Sequence, residues 1–99
     1  MKSGYKILWT EHALIELSDT YDYLELHFTK RELKKLSTEL DRTLKLISQS
    51  PHLFPISELK GVRRVVIKKF NTLYYREKGG YVEIISFFSN RKKPIKEKF

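Results

Sequence analysis

The spacing of apolar residues changes once along the chain, and this change most limits what the chain can fold into. Between residues 11 and 47, apolar residues recur every three or four positions, the period of one face of an α-helix. In the second half, apolar and polar residues alternate in VRRVVIK, FNTLYYREK and YVEIISFFS, the period of β-strands. We therefore expect helices first and a sheet afterwards.

Capping signals divide the helical half into two helices. Thr10 is predicted to be the N-cap of a helix from about residue 11 to 28. Thr29 followed by Glu32 is a capping box that begins a second helix, which ends before Pro51. Because almost no linker separates the two helices, they should fold back as an antiparallel hairpin.

A short strand, GYKILW, precedes the helices and three strands follow them, which gives the order β-α-α-β-β-β. We predict an α+β fold in which the helix hairpin packs on one face of a small, mainly antiparallel sheet. The 99 residues are expected to form a single domain, residues 1–99, with residues 94–99 as a frayed basic tail.

Several classes of protein and site are not expected. The chain contains no cysteine, which excludes disulfides and thiolate metal sites and favours a reducing, cytoplasmic location. The N-terminus has too short an apolar run for a signal peptide, and no stretch approaches the roughly 20 residues of a membrane span.

The Gly79-Gly80 dipeptide is predicted to form a two-residue hairpin turn, which fixes the pairing of the last two strands. The predicted pairs on one face are Lys78–Tyr81, Arg76–Glu83, Tyr74–Ile85 and Thr72–Phe87. The other face carries the more apolar set and should pack on the helices: Leu73, Tyr75, Val82 and Ile84. The first face is then left uncovered.

A second turn at Lys68 and Lys69 is predicted to extend this uncovered face. If these two residues form the turn, then Arg63, Val65 and Ile67 join it. The turn contains no Gly or Asn.

Charge is distributed unevenly along the chain. Residues 1–50 contain eight basic and eight acidic residues, whereas residues 51–99 contain twelve basic and four acidic residues. The formal net charge of +8 therefore lies in the second half. Such an excess attracts polyanions, either nucleic acid or an acidic protein surface, although a basic chain is also simply more soluble.

The uncovered face combines cations with aromatic rings, as recognition of single-stranded nucleic acid requires. The residues concerned are Arg63, Tyr74, Arg76 and Phe87, flanked by Lys68, Lys69, Arg91, Lys92 and Lys93. The alternative is structural: Arg76 and Glu83 form an ordinary cross-strand pair, and Phe87 lies under a neighbouring element.

The chain offers no conventional catalytic motif. His12, His27 and His52 are interpreted as surface or capping residues, and no set of residues has the spacing of a metal site. There is no glycine-rich phosphate loop or nucleophile elbow. Any catalysis must therefore be cation-assisted and free of cofactors.

Taken in order, five segments resemble the RelE/ParE superfamily, the toxins of bacterial type II toxin–antitoxin (plasmid stabilisation) modules. These segments span nearly the whole domain: ILWTEHALIEL, LISQSPHLFP, LKGVRRVVI, FNTLYYRE and VEIISFFSNRKKP. The resemblance implies a β-α-α-β-β-β fold, a toxin activity and a cognate antitoxin as partner. It also matches Arg63 and Arg64 to the basic start of the family's second strand.

This superfamily contains ribosome-dependent mRNA endonucleases and poisons of DNA gyrase. The nuclease branch typically has an arginine where this chain has Asn71, and a histidine or tyrosine at the end of the last strand, where this chain has Ser89. Neither side chain transfers protons near neutral pH, whereas Arg91 is retained. Binding is therefore better supported than cleavage.

The leading hypothesis is a toxin that binds a macromolecular target, as the gyrase-inhibiting branch does, and is neutralised by an antitoxin with an acidic segment. The alternatives are a cofactor-free, ribosome-dependent endoribonuclease, and an inactive module that binds antitoxin or nucleic acid. Candidate catalytic residues for the nuclease are Arg63, Lys68, Arg76 and Arg91. Candidate target-binding residues are Arg63, Arg64, Lys68, Lys69, Tyr74, Arg76, Phe87, Ser89, Arg91 and Lys92.

Overall fold

The computed structural model describes residues 4–89, which form two helices and four strands. The elements in chain order are β1 (Lys6–Trp9), α1 (Glu11–His27), α2 (Lys30–Gln49), β2 (Arg63–Ile67), β3 (Asn71–Lys78) and β4 (Tyr81–Ser89). The predicted α+β fold and its β-α-α-β-β-β order are confirmed. The predicted tail, residues 94–99, lies outside the described residues.

The four strands form one mixed sheet in the order β1-β4-β3-β2. β2 pairs with β3, and β3 with β4, in antiparallel fashion. β1 pairs with β4 in parallel, with Ile7 opposite Val82 and Trp9 opposite Ile84. The first and last strands of the fold are therefore neighbours.

The predicted capping residues begin both helices. The Thr10 hydroxyl accepts a hydrogen bond from the amide of Ala13 (3.1 Å) and donates one to the Ile84 carbonyl (2.9 Å). The Thr29 hydroxyl accepts a hydrogen bond from the Glu32 amide (3.3 Å) at the start of α2. Thr10 thus satisfies an amide at the helix end and also ties α1 to β4.

The core lies between the helices and one face of the sheet. The four strand residues predicted to face the helices, Leu73, Tyr75, Val82 and Ile84, are fully buried, which confirms that part of the pattern. The helices contribute Ala13, Leu24, Leu36, Leu40 and Ile47. The opposite side of the sheet, called the open face below, is not covered by either helix. Neither described helix is long and apolar enough to cross a membrane.

An extra residue in β4 makes the predicted pairing beyond Tyr75 wrong. Tyr75 lies opposite Ile84, but Tyr74 lies opposite Ser86, so Ile85 is an additional residue in β4 at this bulge. From there the register is shifted by one residue, and Phe87 lies opposite Leu73 instead of Thr72. Phe87 is therefore 0% exposed and belongs to the core, not to the open face.

The turn between β2 and β3 corrects a second prediction. It contains three residues, Lys68, Lys69 and Phe70, because Ile67 lies opposite Asn71. The additional residue reverses the faces of β2, since side chains alternate along a strand. As a result Arg63, Val65 and Ile67 face the helices, while Arg64 and Val66 lie on the open face.

Candidate nucleic-acid and target interface

The residues proposed from sequence to bind a target do not form one surface. Arg64, Tyr74 and Arg76 share the open face, and Lys68 and Lys69 lie in the turn between β2 and β3. Arg63 lies on the helix side, and Phe87 and Ser89 are buried. Arg91 and Lys92 lie outside the described residues.

The open face has less free positive charge than expected. The Arg76 Nε donates a hydrogen bond to Glu83 Oε1 at 2.8 Å, which confirms the predicted cross-strand pair. Arg64 is exposed, and within residues 4–89 no carboxylate forms an ion pair with it. Val66, two residues along β2 on the same face, is 57% exposed. Lys6 and Lys78 are further cations of this face without an ion pair in residues 4–89. On β2 a free arginine lies beside an exposed apolar residue, a combination that suits a protein partner.

Arg63 anchors the loop that joins α2 to β2. Its Nη1 donates a hydrogen bond to the Phe54 carbonyl (2.8 Å), and its Nη2 lies 3.2 Å from His52 Nδ1. Beside it, the Tyr75 hydroxyl donates to the Pro51 carbonyl (2.8 Å). Burial raises the pKa of the Tyr75 phenol above its ordinary value, and the positive charge of Arg63 opposes this rise. Sequence reasoning missed this cluster, which holds His52 and the loop against the sheet.

Asn71 and Ser89 lie directly opposite each other on β3 and β4. Asn71 is 3% exposed and Ser89 is 7% exposed. The side-chain amide of Asn71 donates a hydrogen bond to the Ile67 carbonyl at 3.0 Å. Asn71 therefore closes the turn between β2 and β3. The two positions at which the nuclease branch is expected to place its chemistry hold a buried, neutral pair.

A surface groove between the first half of α2 and the turn after β2 brings four cations together. We call it the basic groove, and its volume is about 430 Å³. The residues that line it are Arg31, Lys34, Lys35, Thr38, Glu39 and Lys68. Apart from Lys68, none of these residues was singled out from sequence. The neutral charge total of residues 1–50 concealed them, although the segment KRELKK contains four cations and one carboxylate.

The described residues include no group of three or more His, Cys, Asp or Glu side chains that could hold a metal ion. The basic groove presents cations and a hydroxyl, together with one carboxylate. Cations and hydroxyls bind and orient anions.

Solved structures share this architecture. A chain of the structure described as the chromosomal ParDE TA system from P. aeruginosa is 20% identical, with a TM-score of 0.72, over 86% of this chain and 95% of that one. The YoeB dimer from Staphylococcus aureus is 21% identical, with a TM-score of 0.58, over 85% of this chain and 94% of that one. The chain has the RelE/ParE fold. No protein-family model and no curated protein matches its sequence.

Two features lie at the same end of the sheet in this RelE/ParE fold. The turn that supplies Lys68 to the basic groove is closed by Asn71, which pairs with Ser89. Cations are therefore available at this end of the molecule without a titratable side chain at positions 71 and 89.

Proposed function

We propose that the chain is the toxin of a type II toxin–antitoxin module, that it inhibits growth by binding a macromolecular target, as a gyrase poison does, and that a cognate antitoxin neutralises it. The observation that carries this proposal is the shared fold. It extends over 95% of a chain from a system described as ParDE and 94% of a YoeB chain. Both likenesses involve almost the whole of each domain.

The Asn71–Ser89 pair supports target binding over RNA cleavage. In a cofactor-free nuclease a cation holds the scissile phosphate while a titratable group moves a proton, and that help contributes roughly 100- to 10,000-fold in rate. Here both side chains are neutral and buried, and the Asn71 amide is already used within the turn. A nuclease would have to rely on arginine and lysine alone.

The open face supports an antitoxin with an acidic and partly apolar segment. Arg64 offers a free guanidinium and Val66 an exposed apolar side chain on the same strand face. A segment that combines carboxylates with apolar side chains is complementary to this pair.

Induced expression in a bacterial host tests the proposed toxin. We expect growth arrest, DNA breaks in a gyrase cleavage assay, and no new cuts in mapped ribosome-bound transcripts. A Leu73→Asp variant, which places a charge in the fully buried core, serves as an unfolded control and should not arrest growth. Normal growth on expression of the wild-type chain contradicts the toxin assignment, and mapped transcript cuts assign the chain to the nuclease branch instead.

Co-expression with the product of the adjacent reading frame tests the antitoxin. We expect the two proteins to co-purify at moderate salt and growth to recover. Arg64→Glu should weaken the complex, whereas Lys60→Glu, an equal charge change in the exposed loop before β2, should not. Equal effects of the two variants place the antitoxin elsewhere, and failure to co-purify removes the main support for a toxin–antitoxin module.

A further inference from the structure

We propose that the basic groove binds the sugar–phosphate backbone of a single nucleic-acid strand. This inference goes beyond the proposed toxin function and does not depend on it, because it concerns a surface that the fold likeness does not assign. It is carried by the charge, the arrangement and the lining of the groove.

The groove concentrates cations from two elements. Arg31, Lys34 and Lys35 lie three and four residues apart and so share one side of α2, and Lys68 faces them from the turn after β2. Within residues 4–89, no carboxylate oxygen lies within 4.0 Å of the charged nitrogens of these four side chains, although Glu39 also lines the groove. The four positive charges are therefore available to a ligand.

The placement of these charges opposes the stability of the helix. Arg31 and Lys35 are like charges at i and i+4, and they lie near the N-terminus of α2, where the helix dipole disfavours cations. The last turn of α2, where the dipole favours cations, contains no basic residue. A phosphate in the groove relieves both unfavourable interactions, whereas Glu32 in the first turn and Glu39 in the lining form no ion pair with Arg31 or Lys35.

The opposite wall retains strain of another kind. Lys68 has a φ of 54° and Lys69 a φ of 72°, a left-handed backbone conformation that residues other than glycine rarely adopt. Glycine at position 68 would remove this strain but would also remove a lysine from the groove. Strain that persists beside a cluster of like charges indicates a functional constraint on the turn.

The lining favours a nucleic acid over an acidic peptide. Peptides that dock in grooves anchor themselves through apolar side chains in apolar pockets. None of the six residues lining this groove is an apolar residue: their side chains end in four cations, a hydroxyl and one carboxylate, and aliphatic stems supply much of the remaining surface. Phosphate oxygens need only cations and hydroxyl donors, so a strand lying between α2 and the turn can be contacted from both walls.

The salt dependence of binding tests the proposal. The probe is a fluorescein-labelled oligouridine of about 12 nucleotides, within the usual site size for single strands, and binding to the purified full chain is followed by anisotropy. Each phosphate contact contributes about 0.7 to the slope of log K against log salt for a single strand. We expect Arg31→Glu with Lys35→Glu to reduce that slope by about 1.4 and to weaken binding about 10- to 30-fold at 0.1 M salt.

A matched control separates the groove from the net charge. Arg42→Glu with Lys45→Glu makes the same charge change at exposed positions of α2 that do not line the groove. We expect this control to keep the wild-type slope. Equal slopes and equal losses in the two double variants would overturn the proposal, because binding would then follow net charge alone.

Two further measurements complete the test. Lys68→Glu, on the opposite wall, should reduce the slope by about 0.7 and so checks the site independently of α2. An unchanged slope contradicts a strand held between both walls.

An oligoglutamate peptide of equal charge should compete weakly with the labelled oligouridine. If it displaces the RNA at equal concentration, and its own binding is lost in the groove variant alone, the groove is a peptide site and the proposal is wrong.

Discussion

Asn71 is the residue at which structural and functional demands meet. Its amide donates a hydrogen bond to the Ile67 carbonyl, and its side chain is almost fully buried opposite Ser89. A larger or charged side chain here must displace the turn that leads to Lys68. The position is therefore constrained by folding, whatever the reaction or target of the protein.

Replacing Asn71 with arginine should cost substantial stability. Asn71→Arg removes the hydrogen bond to Ile67 and places a charge in a buried position, and we expect the free energy of unfolding to fall by about 3 kcal/mol or more. Val66→Arg, the same charge on the exposed open face, should change it by less than about 0.5 kcal/mol. Urea unfolding followed by circular dichroism measures both. Equal midpoints for Asn71→Arg and the wild type would contradict the buried role of Asn71.

Tyr75 should make the stability depend on pH in the alkaline range. Because burial raises the pKa of its phenol above 10.0, the folded protein keeps the proton while the unfolded chain loses it. The stability contributed by Tyr75 is therefore complete below pH 10.0 and declines as the pH rises above that value.

The Tyr75→Phe variant isolates this effect. It loses the hydrogen bond to the Pro51 carbonyl, and we expect its unfolding free energy to be lower by about 1 to 2 kcal/mol near neutral pH. The difference from wild type should narrow above pH 10.0, since only the wild type has this proton to lose. Chemical denaturation at a series of pH values measures the difference, and a gap that is constant to pH 11 refutes the argument.

At the scale of single residues, the sequence predicted contacts near the Gly79-Gly80 turn and missed those farther away. The Arg76–Glu83 pair was predictable because few residues separate it from the turn. Phe87 was not, because the bulge that turns it inward is stabilised from α1. Glu16 Oε1 accepts hydrogen bonds from the Phe87 backbone amide (2.8 Å) and the Ser86 hydroxyl (2.6 Å). Glu16 and Phe87 are 71 residues apart in the chain, so no local pattern indicates this contact.

At the scale of elements, the turn between β2 and β3 determines what the sheet presents. Its three residues set the register that puts Arg64 on the open face and Arg63 under the loop after α2. The helices could be predicted because Thr10 and Thr29 cap them through contacts within one turn. The place of the turn was predicted but its length was not, because two lysines adopt a positive φ that sequence rules reserve for Gly, Asn and Asp.

Glycine at position 69 should stabilise the protein. Lys69→Gly relieves a left-handed backbone conformation, and after the entropy that glycine adds to the unfolded chain we expect a gain of about 0.5 to 1 kcal/mol. Lys78→Gly, in the exposed end of β3, should instead cost about 0.5 to 1 kcal/mol. Thermal unfolding of the two variants compares them, and a loss of stability in both would show that the turn is not strained.

At the scale of the whole molecule, the pairing of β1 with β4 joins the two ends of the fold. The single tryptophan of the chain, Trp9, lies in β1 opposite Ile84 and is half-buried against the core. Its fluorescence therefore reports on the contact between the first and last strands.

Unfolding of this contact should coincide with loss of the helices. We expect Trp9 fluorescence and far-ultraviolet circular dichroism to give the same urea midpoint, because Thr10 and Trp9 tie α1 and β1 to the same stretch of β4. A Trp9→Phe variant followed by circular dichroism controls for any effect of the indole itself. A fluorescence transition at lower urea would mean that β1 detaches before the rest.

The parallel pairing of β1 with β4 also has a consequence for biosynthesis. A ribosome makes β1 first, yet the only strand that β1 pairs with among the described elements is the last one made. The central position of β4 leaves β1 and β3 without a common neighbour until residues 81–89 have emerged. Translation that stops before this point cannot complete the four-stranded sheet, so the fold and any activity that depends on it arise only once residues 81–89 have been made.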